Sequence, residues 1–244
     1  MRRSTKHCER IASLQRDLLG SVAALPPTDV AKMIDCLDPF MTPERRARVS
    51  AILDRRLESV TVVMDSPHDP HNGAAVLRSC DAFGVQHLHV VERWETFIVS
   101  RSVSRGSERW VDVHTYDDGA GAAARLAERR FRLVATHPEG ELSPDDLASM
   151  PDRIAIVLGN ERDGIAPELA AACSARVRVP MRGFAESLNV SVTAAILLSA
   201  FASRRPGDLG QDERARLYLR ALVLTLPRAS EILGARGLSV PDPK

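Results

Sequence analysis

The chain has 244 residues, 44% hydrophobic and 27% charged, which suits one large core with appended pieces. A net charge of +1 excludes a bulk polycation, and the dispersed Cys8, Cys36, Cys80 and Cys173 argue against a disulfide framework or structural zinc. No apolar run reaches the roughly 18–20 residues of a membrane span, and the first residues lack a secretory leader's apolar stretch, so the expected location is cytoplasmic.

Residues 1–42 read as a helical N-terminal extension. "CERIASLQRDLLGSVAAL" has apolar residues at helical spacing, and "PPTDVAKMIDCL" starts another helix after the Pro26–Pro27 break, with Thr28 as predicted N-cap. A leading helix over 43–58 follows, with Thr42 as N-cap, Pro43 at the first helical position and Glu44 in the first turn. Its basic side, with Arg45, Arg46, Arg48, Arg55 and Arg56, suits either a solvated surface or a nucleic-acid contact. Nearly every cation in the chain is Arg, only Lys6, Lys32 and Lys244 being Lys; codon bias and a use for phosphate-binding forks both account for that.

From Val60 the pattern changes. "VTVVMD", "VQHLHVVE", "WVDVHTY", "FRLVATH", "RIAIVLG" and "ARVRVPM" are β-branched runs, with helical stretches such as "NGAAVLRSCDAFG", "DDGAGAAARLAERR" and "APELAAACS" between most of them. Strands alternating with helices predict an α/β fold, a parallel sheet flanked by helices. The core, with its leading helix, spans 43–202, and 203–244 form a C-terminal helical tail.

Three stretches concentrate polar residues where strands end or helices begin. In "DSPHDPHNGAAVLRSCDAFGV", Asn72 occupies a predicted N-cap, Arg78 stands among apolar helix positions, and Gly84 closes the helix. A buried Arg needs a partner; an ion pair with Asp81 or Asp65 and a phosphate contact are both open. In "IAIVLGNERDGIAPELA", an apolar strand runs into Gly159, Asn160 and a charged turn, where open parallel sheets bind ligands. It is neither a dinucleotide fingerprint nor a P-loop. In "ESLNVSVTAAILLSAF", Ser187, Asn189 and Ser191 head an apolar helix, as an elaborate cap or as a ligand-facing turn. His68 with His71, and His87 with His89, are simpler as loop and strand residues than as metal pairs, so no metal is expected.

Taken together, "HNGAAVLRSCDAFGV", "VLGNERDGIAPEL" and "VPMRGFAESLNVSVTAAILL" resemble, in order and spacing, the three motifs of the SpoU family of RNA 2′-O-ribose methyltransferases, within the SPOUT superfamily. The resemblance spans about 43–225 and is nearest to members that methylate guanosine 18 in the tRNA D-loop, with "RGSERWVDVH" adding weaker support. It implies S-adenosylmethionine as cofactor, a C-terminal trefoil knot, RNA (tRNA) as partner, and a homodimer with the active site near the subunit interface. Carried over by position, Arg78, Asn72, Glu161, Ser187 and Asn189 are the implied catalytic residues. Thr136, Gly159, Val179 and Leu188 are the implied cofactor-binding residues, and Arg101, Arg105, Arg109, Arg45 and Arg46 the RNA-binding ones. Arg109 stands where family members often carry Lys, and Glu186 where Gln or Pro is common. Another tRNA position, rRNA, or an inactive RNA-binding relative are the alternatives under the same resemblance.

Overall fold

The computed structural model describes residues 8–10, 22, 25–94, 96–160 and 162–239. Two compact units emerge, one holding 57–206 with the strand at 8–10, the other holding 12–56 with 207–244. Strand β1 (Cys8–Arg10) pairs antiparallel with Ile98–Ser100, which corrects the helical expectation at those three positions. The remainder of the expected first helix lies largely outside the described residues.

In the second unit, α1 (Pro27–Leu37) starts at Pro26 with no side-chain cap, so Thr28 sits one residue inside the helix rather than capping it. Helix α2 (Pro43–Leu53) is capped as expected, Thr42 Oγ1 accepting from the Arg45 amide at 3.3 Å. It groups with the C-terminal helices rather than with the sheet. Arg214 explains part of that grouping, forming an ion pair with Asp54 at 2.7 Å and donating to Ser50 at 3.0 Å. The apolar faces of α1 and the two C-terminal helices, through Val30, Met33, Leu37, Leu222 and Leu233, make this unit's own core.

The first unit is the α/β body. Its strands are β2 (Leu57–Asp65), β3 (Val85–Val91), β4 (Ile98–Ser100), β5 (Asp112–Tyr116), β6 (Phe131–Thr136), β7 (Arg153–Leu158) and β8 (Ala175–Val177). Apart from β1 and β4, they form one six-stranded sheet in the order β5-β3-β2-β7-β6-β8, with every neighbouring pair parallel. Central β2 and β7 are buried along nearly their whole length, because a parallel sheet covered on both faces leaves no polar side. The flanking helices are α3 (Pro70–Ala82), α4 (Arg101–Ser104), α5 (Gly119–Glu128), α6 (Pro144–Ser149), α7 (Pro167–Ala172) and α8 (Val190–Ala202). Helix α8 packs on α3 and α6, while α5 packs on α7 and on the sheet. In the tail, α9 (Gln211–Thr225) and α10 (Ala229–Gly234) return to the second unit.

Two expectations about element boundaries need correction. The N-cap of α3 is Asp69, whose carboxylate accepts from the His71 amide at 2.8 Å, so Asn72 lies within the first turn. Pro70 at the first helical position shifts the start three residues upstream. Strand β8 ends at Val177, well short of the expected "ARVRVPM" run.

The alternating His87 and His89 of β3 meet His114 and Tyr116 of β5 on one face of the sheet. His87 Nδ1 lies 3.2 Å from His114 Nε2, and His89 Nδ1 lies 2.8 Å from the Tyr116 hydroxyl. His89 stacks on His114 with centroids 4.9 Å apart. No group of three or more metal-ligating side chains is placed to hold an ion among the described residues. Burial lowers His87 to about 4 and His89 to about 2, with Arg129 adding a smaller repulsion to both. These imidazoles are neutral in the fold but take protons readily once unfolded. Stability is therefore full above the unfolded value near 6.5 and declines as pH falls towards 4. His87 alone contributes a loss on the order of 3 kcal/mol over that window. Thermal unfolding from pH 7.5 to 4.5 should show a falling midpoint, and His87→Gln should flatten the slope.

Candidate active site

The carboxyl ends of β6, β7 and β8 open into a cleft of about 1300 Å³. Open parallel sheets bind ligands at that edge, because their loops and helix N-termini turn backbone groups towards solvent there. Thr136, Gly159, Val179 and Leu188 all line the cleft, as do Ser187 and Asn189. Thr136 ends β6 with its hydroxyl turned back onto the Val157 carbonyl at 3.0 Å. Burial pushes the Cys173 thiol in the wall up to about 11, which leaves it neutral and non-nucleophilic.

Gly159 is glycine for a steric reason. A Cβ there would stand 2.5 Å from the Gly164 carbonyl carbon and 2.8 Å from the Ile165 nitrogen. The turn it begins is closed by two backbone bonds between Asn160 and Gly164, of 3.1 and 3.2 Å. Asn160 Oδ1 also accepts from the amides of Arg162 and Asp163, at 2.9 and 2.7 Å. Gly164, at φ +70°, supplies the left-handed residue that lets so tight a turn close. Glu161 lies outside the described residues.

The head of α8 is a cap and a cleft wall at once, which accounts for its load of small polar residues. Asn189 is the N-cap, its Oδ1 accepting from the Ser191 amide at 2.8 Å and the Ser191 hydroxyl at 2.6 Å. Its Nδ2 donates to Asn72 Oδ1 at 3.0 Å, across 117 residues of chain. The first and third sequence stretches therefore meet through their two asparagines. Ser187 is exposed at the cleft and has no hydrogen-bond partner among the described residues.

Arg78 differs from the buried residue that the apolar setting implied. It is exposed on α3 and has no ion pair or hydrogen bond among the described residues. Asp65 is taken by Arg93 instead, at 3.0 Å. Six residues beyond Asn72, Arg78 stands roughly 9 Å further along the helix axis and does not line the cleft. The neighbouring segment of α4 and the short turn Ser107–Arg109 packs on α3. It carries exposed Arg101, Arg105 and Arg109. Arg45 and Arg46 belong to the second unit. Arg45 donates to the Thr225 carbonyl at 3.3 Å, and Arg46 is held by Asp38 at 2.9 Å. Arg56, also counted on the basic side of its helix, is buried.

The fold is known from other proteins. The SpoU rRNA Methylase family model matches residues 59–199. The tRNA (guanosine(18)-2'-O)-methyltransferase of Escherichia coli strain K12 is 33% identical over 191 residues, covering 78% of this chain and 80% of that protein. Its Thermus thermophilus counterpart is 34% identical over 176 residues, covering 72% and 90%. Among solved structures, the Aquifex aeolicus TrmH/SpoU tRNA modifying enzyme superposes with a TM-score of 0.65 at 27% identity, over 75% of this chain and 98% of that one. The SpoU methyltransferase AviRb of Streptomyces viridochromogenes, in complex with AdoMet, superposes with a TM-score of 0.53 at 25% identity, over 59% and 56%.

Proposed function

The chain belongs to the SpoU rRNA methylase family, and from that premise we propose that it methylates the ribose 2′-hydroxyl of guanosine 18 in tRNA, using S-adenosylmethionine. One observation supports this most: the Asn72–Asn189 bond joins the first and third motifs at a cleft lined by the four residues assigned to the cofactor. Relatives named for that reaction cover most of the chain.

The cleft suits the cofactor. Its volume, about 1300 Å³, leaves ample room for a ligand of that size, and Gly159 places a turn of main chain in its wall. Thr136, Gly159, Val179 and Leu188 would hold S-adenosylmethionine, largely through main-chain groups. When bound, it supplies a methyl group already activated by its sulfonium. The remaining work is alignment of the ribose and removal of its proton.

Asn72 and Asn189 fix each other and the start of α8, which leaves Ser187 free to meet the ribose. A guanidinium offers donors and no acceptor, so Arg78 is ill suited to act as the base. Its role is to anchor an RNA phosphate with its fork and to stabilise the alkoxide as it forms. Glu161 completes the catalytic set by motif. Arg101, Arg105 and Arg109 provide further phosphate contacts, which orient RNA without reading its sequence.

The trefoil knot and the homodimer are parts of the same reading. The knot rests on family membership. The homodimer is supported by Val192 and Ile196, left 45% and 36% exposed along the side of α8. A second copy over that side would account for an Arg78 that stands outside its own cleft. A tRNA substrate fits a cytoplasmic location.

Incubation with labelled S-adenosylmethionine and total tRNA or rRNA tests the reading. Label should enter tRNA; label confined to rRNA would replace the substrate, and none in either would remove the activity.

A further inference from the structure

Asp65 is a buried carboxylate that lies outside the three motifs and has no part in the proposed chemistry. It is the last residue of β2, 1% exposed, and both its oxygens are engaged. Oδ1 forms an ion pair with Arg93, 3.0 Å from Nη2 but without hydrogen-bond alignment, and Oδ2 accepts the Ala166 amide at 2.6 Å, 101 residues away. Arg93, just beyond β3, also donates through Nε to the Ser66 hydroxyl at 2.9 Å. Ser66 is itself buried, with φ at +51°, and its amide donates to the Val91 carbonyl at 2.9 Å. The carboxylate thus joins the ends of two central strands to the point where the turn after β7 becomes α7.

That turn is a wall of the cleft. Gly159, Asn160, Gly164 and Ile165 line it. Its first end is fixed by β7, and its middle by the Asn160–Gly164 pair. Its far end, Ala166, is the N-cap residue of α7 and offers no side-chain cap; Asp65, on another strand, accepts its amide. A buried carboxylate tied to an arginine is costly to assemble, and removing one partner typically exposes that cost. Hydrophobic residues would serve packing alone. A charged acceptor short enough to hold an amide at 2.6 Å serves position.

We propose that Asp65, oriented by Arg93, is a positioning residue that holds the Gly159–Ala166 turn at the spacing the cofactor requires. The inference rests on the reading of the cleft as the S-adenosylmethionine site. It predicts that loosening Asp65 weakens cofactor binding more than it weakens the fold.

The test is calorimetric titration with S-adenosylhomocysteine, the demethylated cofactor, alongside thermal unfolding. Three variants are compared with the unchanged chain. Asp65→Asn keeps an acceptor oxygen and the shape of the side chain but loses the charge, and Asp65→Ala loses both. Glu58→Gln is the control: it weakens a partly buried cluster in the same unit, where Glu58 meets Arg129 and Arg153 at 3.3 Å each, away from the cleft. Asp65→Asn should weaken binding about tenfold and Asp65→Ala more, while Glu58→Gln lowers the unfolding midpoint but leaves affinity within about twofold. If Asp65→Ala does not fold, Asp65→Asn decides. Unchanged affinity in a folded Asp65 variant, or an equal loss in Glu58→Gln, would overturn the proposal. Absence of binding by the unchanged chain would overturn the cofactor reading instead.

Discussion

Arg78→Ala is expected to lower methyl transfer to tRNA about a hundredfold or more, with the unfolding midpoint and the affinity for S-adenosylhomocysteine both unchanged. The expectation rests on what Arg78 lacks. It is exposed, it makes no ion pair or hydrogen bond among the described residues, and it stands outside the cleft. Truncating such a side chain breaks no ion pair or hydrogen bond among the described residues, so stability has little to lose. All the loss should appear once RNA is bound. Arg78→Lys separates charge from shape, since an ammonium keeps the attraction but cannot make two parallel bonds to one phosphate. That variant should recover binding of tRNA at low salt and recover little of the turnover. Near-normal turnover by Arg78→Lys would rule out two-pronged anchoring, and a large fall in unfolding midpoint for either variant would make Arg78 structural.

Gly159→Ala should abolish measurable cofactor binding, and it should also destabilise the first unit by about 1–3 kcal/mol. Its Cβ would meet main-chain atoms of Gly164 and Ile165 at 2.5–2.8 Å, and backbone cannot rotate aside as a side chain can. The turn must then open, which strains the Asn160–Gly164 bonds and moves a cleft wall. Gly164→Ala provides the contrast. Nothing stands within 4 Å of its would-be Cβ, so its penalty comes from the left-handed φ of +70° alone. The two variants should lose comparable stability, with the greater loss of affinity at Gly159. Equal affinity losses would locate the effect in loop flexibility rather than in the position of the wall.

The six strands of the main sheet are legible as β-branched runs and most of its longer crossover helices as amphipathic or alanine-rich segments, whereas the short β4, α4 and α6 carry no such signal. The buried β2 and β7 are near-continuous apolar runs, as a doubly covered sheet demands. Helix starts are less legible. Thr28 and Asn72 are good capping residues, yet Pro27 and Pro70 begin their helices earlier, because proline needs no partner for an amide in the first turn. At Cys8–Arg10, helical spacing loses to pairing with a strand 90 residues away, which no local pattern encodes.

The site is half legible. Gly159, Ser187 and Asn189 announce themselves by residue type and by standing at the junctions of strands, turns and helices. Bonds that assemble the site do not. Asn72 to Asn189 and Asp65 to Ala166 cross more than 100 residues each, and only the fold brings those ends together. Sequence offers Asp65 as a partner for Arg78; an equally plausible Arg93, at the end of the neighbouring strand, takes it. The basic side of α2 shows the same limit. Sequence groups Arg45, Arg46 and Arg56 on one helix, while the structure gives Arg46 to Asp38 and buries Arg56.

The central claim is that one ribose hydroxyl receives the methyl group, and a single atom decides it. Two tRNA transcripts that differ only at position 18, one with guanosine and one with 2′-deoxyguanosine, are incubated with the protein and labelled S-adenosylmethionine. Label is expected in the ribose transcript alone, in a nucleotide whose 3′ linkage resists alkali. Equal labelling of the deoxy transcript would contradict the account, because the methyl group would then be going to a base or to another nucleotide.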